Sequence, residues 1–271
     1  MSEVTPTTAE GLSFEVGDDK VGVITLSRPA KKNALTFDIY ADLTRLFREL
    51  ETDGRVKTVL IRGDGGAFCS GGDVHEIIGP LFEMDAAGRW EFTRMTCDLI
   101  ENMRSLSKPI IACIDGVAAG AGSVIALASD LRIGSESARF AFLFVKVGLC
   151  GADMGAAFLL PRIIGLGRAT ELLMTGDMIR AEEAHRIGLL NHVHSAEEVE
   201  GEARAFAARL ANGPSFALAM TKRSLNEELG MDLRQALEAE ARTQALCMET
   251  EDFRIAYEAF SNRQKPEFVG R

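Results

Sequence analysis

No run in this 271-residue sequence approaches the roughly 20 consecutive apolar residues that a membrane-spanning helix needs. The first ten residues, Met1–Glu10, are polar and lack a basic segment followed by an apolar one, so a secretory leader is not expected and the chain reads as cytoplasmic. Positive charge is also scarce. Thirty Lys and Arg against 40 Asp and Glu leave a net charge of −10, which disfavours nucleic acid as a partner while leaving room for a small anionic ligand held by a few local lysines. The five cysteines, Cys69, Cys97, Cys113, Cys150 and Cys247, are scattered and never spaced as CxxC, so neither a zinc site nor a disulfide framework is indicated. His192 and His194 fall on one face of an extended segment, but no cysteine or carboxylate cluster joins them, and no metal is expected. Dinucleotide and P-loop fingerprints are missing too. After Gly63 and Gly65 the third glycine place is Phe68, after Gly120 and Gly122 it is Ile125, and neither turn carries GKS or GKT.

What is present centres on Ile110–Asp130, IIACIDGVAAGAGSVIALASD. The apolar run Ile110–Ile114 reads as a buried strand. Ala118–Gly122 contains nothing larger than a methyl group, and Ser123–Ala128 reads as the first turns of a buried helix. Small residues at a strand-to-helix turn let a ligand approach the backbone. The first helical amides have no internal partners and sit at the positive end of the dipole, so such a turn can hold negative charge on an oxygen. Tight packing of helix on strand would demand the same glycines. A second glycine-rich turn, Gly63–Asp73, follows the strand expected at Val56–Ile61.

Elsewhere, Phe14–Val16 and Val21–Leu26 flank a hairpin turn. A short basic loop, Ala30-Lys31-Lys32-Asn33, precedes a helix that opens at Thr36 with the apolar stripe Ile39, Leu43, Leu46, Leu50. A helix between strands implies a parallel crossover. Val74–Met103, with the single tryptophan Trp90, reads either as packed helix or as a flap over an apolar pocket. Leu131–Ile133 and Arg139–Phe142 look like strands, Val147–Gly155 like a loop, and Ala169–Met174 and Ala181–Ile187 like helices. From Glu197 to Phe260 nearly everything is helix-forming, broken at Gly213-Pro214 and Gly230-Met231-Asp232. A boundary near Ala205 divides a core, residues 1–205, from a helical region, 206–271, too short for a core of its own.

In order and separation, five segments resemble the crotonase superfamily, the enoyl-CoA hydratases and isomerases: LSRPAKKNALT (Leu26–Thr36), GAFCSGGDV (Gly66–Val74), KPIIACIDGVAAGAGSVIALASDLRIGS (Lys108–Ser135), LLPRIIGLGRATELLMTGDMIRAEEAHRIGLLNHV (Leu159–Val193) and the weaker AFSNRQKPEF (Ala259–Phe268). The resemblance implies an α/β fold, a coiled ββα superhelix with a C-terminal helical oligomerisation region, assembled as a homotrimer or a dimer of trimers. It implies an acyl-CoA substrate, with coenzyme A as part of that substrate and no separate cofactor. The thioester carbonyl would be held by the amides that map to Gly72 and Ala121. Ala30, Lys31 and Lys32 fall where the family contacts the nucleotide; Ser70, Gly71, Asp73, Val74 and His75, with Gly120 from the other turn, fall at the rest of the substrate site. Arg263 and Lys265 would add charge from the C-terminal segment.

The acid/base groups depart from the family pattern. Two glutamates activate water in true hydratases, and their places here are Val124 and Phe144, neither of which can move a proton. The remaining carboxylate is Asp153, in a loop where several isomerases carry an aspartate, although this loop is one residue longer. The expectation is therefore enolate chemistry on an acyl-CoA, by hydration or by double-bond isomerisation through Asp153, with a non-catalytic acyl-CoA-binding homologue as the alternative. His75, Glu76, Glu83 and Asp85 are lesser acid/base candidates, and Asp153 as a loop or helix-cap carboxylate is the structural alternative. Cys150 reads as a packed small residue, and Phe142, Phe144, Leu149 and Met154 as walls of an acyl pocket.

Overall fold

The computed structural model describes residues 3–271; Met1 and Ser2, the start of the polar N-terminal stretch, lie outside the described residues. The chain opens with strands β1 (Leu12–Val16) and β2 (Val21–Leu26), helix α1 (Phe37–Glu49) and strands β3 (Thr58–Gly63) and β4 (Ala67–Cys69). Helices α2 (Gly79–Glu83) and α3 (Ala86–Ser105) follow, then β5 (Ile110–Ile114), β6 (Val117–Ala119) and α4 (Ala121–Ala128). Next come β7 (Leu131–Ser135), β8 (Arg139–Ala141), α5 (Ala156–Ile164), α6 (Leu166–Thr175), β9 (Ile179–Arg180), α7 (Ala181–Arg186) and β10 (His192–His194). Four helices end the chain: α8 (Val199–Ala211), α9 (Ser215–Glu227), α10 (Leu233–Met248) and α11 (Glu251–Ser261).

Two sheets stack through the coil. The larger has the order β1-β2-β3-β5-β7-β10 and the smaller β4-β6-β8-β9. Among the described residues, only the β1–β2 hairpin and the β8–β9 pair are antiparallel. Three successive turns of the coil, starting at β3–β4, β5–β6 and β7–β8, each contribute one strand to each sheet and then helix.

Period-two alternation places the larger sheet between two layers. From β5, Ile110, Ala112 and Ile114 enter the main core with Leu43, Leu46 and Phe47 of α1 and Leu99 and Met103 of α3. Ile111 and Cys113 face the other way, onto Val199, Ala203, Ala207 and Ala211 of α8. Alanines spaced by four let α8 lie close to the strands. Helix α8 runs unbroken through residue 205, where the sequence suggested a boundary, and its buried alanines belong to the sheet layer.

The α1 stripe is buried as its spacing predicts, and the Thr36 hydroxyl accepts the Ile39 amide as N-cap. Val74–Met103 resolves into a π-helical turn at Val74–Ile78 followed by α2 and α3. Within it Phe92 stacks edge-on against Phe37 and Tyr40, with ring centroids 5.2 and 5.7 Å apart, whereas Trp90 and Phe82 are exposed. Beyond α8, α9 is anchored by the buried Lys222, whose Nζ lies 2.8 Å from Asp130 Oδ2 and donates to the carbonyls of Met103 and Lys108. Helix α10 contains no buried residue.

Candidate active site

The two glycine-rich turns meet because β4 and β6 are parallel neighbours, with Ala67 opposite Val117 and Cys69 opposite Ala118. Both strands end on the same side, so the segments that follow them, Ser70–Asp73 and Gly120–Ala121, emerge together. A Cβ built on Gly71 would stand 3.0 Å from the Ala119 carbonyl oxygen, at a φ of +99° that an L side chain rarely adopts. Gly122 serves packing: a Cβ there would fall 2.2 Å from the Cys69 carbonyl oxygen. Gly71 of one turn and Gly122 of the other thus each let the two segments approach closely.

Ala121 is the first residue of α4, where the amide has no intrahelical acceptor. Around Gly72 the chain bridges to Leu35: the Leu35 amide donates to Gly71 O and the Asp73 amide to Leu35 O, both at 2.8 Å. Among the described residues, neither the Gly72 nor the Ala121 amide is taken up by a backbone acceptor. Two uncommitted amides on adjoining turns, one of them at the N-terminus of a wholly buried helix, suit an oxygen that gains negative charge during reaction.

The basic loop is fastened to the same edge. Pro29–Lys31 forms a 3₁₀ turn, and Lys32 and Asn33 follow in left-handed conformation. Asn33 is buried; its Nδ2 donates to the carbonyls of Asp64 and Ala67 at 2.8 and 2.7 Å, and its Oδ1 accepts the Arg28 amide at 2.8 Å. The Ser70 amide donates to Lys32 O at 2.9 Å and its hydroxyl to Lys31 O at 3.2 Å. Ala30, Lys31 and Lys32 are exposed beside Ser70–Asp73, so the expected nucleotide-contacting loop and the expected amide cradle share one edge. The clamp itself was missed: a polar residue after two lysines reads as a solvated turn, and only its burial distinguishes it.

Asp73 is buried and caps the π-helical turn, accepting the amides of His75 and Glu76 at 2.9 and 3.1 Å. Burial pushes its pKa up, but those amides and the charges of Arg28 and Lys31 outweigh it and hold the carboxyl below its ordinary range. Val74 and His75 project into solvent beyond it. The lesser acid/base candidates are otherwise engaged or exposed: Glu76 pairs with Arg28, Asp85 caps α3 through the Gly88 amide at 2.8 Å, and Glu83 lies at the surface. Val124 is fully buried and Phe144 nearly so, in the same core cluster as Ala121.

Asp153 sits half-buried in the loop before α5. Its Oδ1 accepts the Met154 amide at 2.9 Å, and its carbonyl accepts the Ala156 amide. The N-cap of α5 is Gly155, with no side-chain cap, so Asp153 is not the helix-cap carboxylate. Burial raises its pKa and the Met154 amide offsets this only in part. Its charge is felt by the buried Tyr40 phenol of α1, which also feels Cys69 of β4, and by the Cys97 thiol of α3. The carboxyl thus lies within electrostatic reach of groups on α1 and α3. Cys69 is no nucleophile, since burial pushes its thiol up to about 12. Of the expected acyl-pocket walls, Phe142, Phe144 and Met154 are buried and Leu149 is exposed. Cys150, expected to be packed, is also exposed.

Among the described residues no group of three His, Cys, Asp or Glu side chains is disposed to hold a metal, and no helix is long and apolar enough to cross a membrane.

A family model described as enoyl-CoA hydratase/isomerase matches residues 17–271. The 1,2-epoxyphenylacetyl-CoA isomerase of Escherichia coli K12 is 32% identical over 93% of this chain and 95% of its own length. The short-chain-enoyl-CoA hydratase of Clostridium acetobutylicum is 32% identical over 92% and 94%. Among solved structures, a Streptomyces coelicolor A3(2) protein provisionally described as an enoyl-CoA hydratase superposes with a TM-score of 0.95 at 48% identity, covering both chains completely.

Proposed function

The chain belongs to the enoyl-CoA hydratase/isomerase family, and from that premise we propose that it isomerises the double bond of an enoyl-CoA, with Asp153 as the proton carrier. The observation that carries this reading is the pair of adjoining turns that leave the amides of Gly72 and Ala121 uncommitted. A thioester carbonyl seated there is stabilised as negative charge develops on its oxygen, and each such donor contributes about 3 kcal/mol to a transition state.

In the proposed reaction the Asp153 carboxylate removes a proton from carbon 2 of a 3-enoyl thioester. The electron pair delocalises through the carbonyl to give a dienolate held by the two amides. The protonated carboxyl then returns the proton to carbon 4, and the double bond comes to rest between carbons 2 and 3. One carboxyl serves both transfers. A raised pKa brings its acidic and basic forms closer in energy near neutral pH, which suits a group that must both take and give. Lys31 and Lys32 would meet the nucleotide phosphates. The substrate site comprises Ala30, Ser70, Gly71, Asp73, Val74, His75 and Gly120 as well, with no separate cofactor and no metal.

The apolar burial of Val124 and Phe144 favours isomerisation over hydration, because an ordinary hydration needs a second acid/base group to activate water. The same observation supports a second reading, an acyl-CoA-binding protein without turnover. Self-association as a trimer or a dimer of trimers is part of the proposal: Leu233, Leu237, Leu246, Phe253, Tyr257 and Phe260 are exposed on α10 and α11. Purified protein mixed with 2-enoyl and 3-enoyl thioesters of several lengths, followed by absorbance, tests it. Turnover of 3-enoyl substrates that is lost in Asp153→Asn supports isomerisation; undiminished turnover in that variant removes Asp153 from its role; tight binding without any turnover selects the second reading.

A further inference from the structure

Tyr40 has no part in the proposed reaction, yet it is fastened to both sides of the proposed site. It sits in α1 shortly after Leu35, whose amide and carbonyl bond to Gly71 and Asp73 around the cradle. Its own amide donates to Thr36 O at 3.0 Å in the first turn of the helix. Its ring meets Phe92 of α3 edge-on, with centroids 5.7 Å apart. Phe92, Thr96 and Ile100 recur at every fourth position and so share one face of α3. A Cβ on Gly155, just past Asp153, would stand 3.8 Å from Ile100 on that face. The face of α3 that holds the Tyr40 ring thus also supports the loop that carries Asp153.

Tyr40 is 2% exposed, and among the described residues its hydroxyl takes part in no hydrogen bond. A buried phenol normally has a partner, since an unpaired polar group in an apolar interior is costly. The buried hydroxyls of α3 and α4 follow that rule: Thr96 Oγ1 donates to Thr93 O at 2.9 Å, and Ser123 Oγ to Ala118 O at 2.7 Å. Burial, and to a lesser degree the charges of Cys69 and Asp153, raise the Tyr40 pKa well above its ordinary value, so the group stays a neutral O–H donor and is no base. Its oxygen is within electrostatic reach of Cys69, which immediately precedes Ser70–Asp73, and of Asp153, but neither accepts from it. Resting on the Gly72–Ala121–Asp153 reading, we propose that Tyr40 determines specificity: its hydroxyl donates to an oxygen carried by the acyl chain beside the migrating double bond, so the substrate is an oxygen-bearing enoyl-CoA rather than a plain hydrocarbon one. A hydrocarbon acyl group leaves the donor unpaired and is penalised, and an accepting oxygen removes the penalty.

The test compares saturated thioesters, which have no double bond to move. Calorimetry measures hexanoyl-CoA, 3-methoxyhexanoyl-CoA and 5-oxohexanoyl-CoA on the full-length protein and on Tyr40→Phe, which keeps the aromatic packing and deletes only the hydroxyl. In the unaltered protein at least one oxygen-bearing ligand binds about tenfold more tightly than hexanoyl-CoA, the worth of one buried hydrogen bond. In Tyr40→Phe that ligand falls to the level of hexanoyl-CoA. The melting temperature of the variant stays equal or rises, because the hydroxyl has no partner in the protein to lose. No preference for either oxygen-bearing ligand in the unaltered protein, a preference that survives in Tyr40→Phe, or equal weakening of all three ligands overturns the proposal. A lowered melting temperature in Tyr40→Phe also overturns it, by showing that the hydroxyl is bonded within the fold. Failure of hexanoyl-CoA itself to bind the unaltered protein refutes the carbonyl cradle on which the inference stands, a result distinct from loss of oxygen preference alone.

Discussion

Gly71 lies against the first turn of α4, so that a Cβ on it would come within 3.5 Å of the amide nitrogen of Ala121. The same Cβ would crowd the Ala119 carbonyl at 3.0 Å from a left-handed backbone. Gly71→Ala should therefore cost about 1–3 kcal/mol of stability and push the two turns apart. Urea denaturation reads the first effect and butyryl-CoA affinity the second; a variant that loses stability yet keeps full affinity would show that the spacing of the turns is not what binds the ligand.

Ala121→Pro isolates the amide from the rest of the turn. Proline is tolerated at the first position of a helix, where its missing N–H breaks no internal bond. The helix should survive, as judged by circular dichroism, while kcat falls about 10²–10³-fold, the loss typical of one oxyanion donor.

Asp153→Asn separates catalysis from stability. Burial lifts the carboxyl's pKa above its value in the unfolded chain. A group shifted in that direction stabilises the fold below its unfolded pKa, and this contribution is lost as pH rises through the folded value. At neutral pH the ionised, partly desolvated carboxylate is thus a net cost. The amide should leave the melting temperature unchanged or raised while kcat drops about 10²–10⁴-fold. In the unaltered enzyme kcat/KM should fall with acidification through a pKa above the ordinary aspartate range, since the base must be ionised to begin the reaction.

Removal of the Asn33 side chain strips partners from two carbonyls and from the Arg28 amide. Asn33→Ala should destabilise the protein by about 1–3 kcal/mol, the penalty for leaving buried polar groups unpaired. It should also weaken CoA thioesters more than Lys31→Ala does, because it frees the whole loop rather than one charge. A calorimetric comparison of the two variants decides this.

Among the described residues, Lys222→Met leaves Asp130 with Arg104 at 3.5 Å as its remaining ion-pair partner. Breaking a buried pair from one side costs about 3–5 kcal/mol. Thermal unfolding should show that loss, and proteolysis should show early cleavage around α9.

Much of this architecture is legible in the sequence wherever short-range chemistry decides it. The hairpin at Gly17–Lys20, the amphipathic α1 and the buried strand Ile110–Ile114 follow from turn residues and periodicity. The union of the two glycine-rich turns was legible only through resemblance, because the parallel pairing of β4 with β6 joins segments some fifty residues apart. The packed and flap readings of Val74–Met103 divide along its length: Phe92 is held by Phe37 and Tyr40, while Trp90, two residues earlier, is exposed. Helical phase separates them, and the mixed apolar pattern of α3 does not announce it. The lysine that anchors α9 looks like any surface lysine until Asp130, 92 positions earlier, is placed beside it.

The complete burial of Val124 constrains which side chains this position can hold. A glutamate placed there would sink a carboxyl into the apolar core cluster, and a buried polar group without a partner costs about 2–7 kcal/mol. Against a total stability of about 5–15 kcal/mol, one such substitution takes a large share of the margin. A carboxyl at this position would therefore require coordinated changes in the packing around α4, and the methyl-lined first turns of that helix hold the site to apolar side chains.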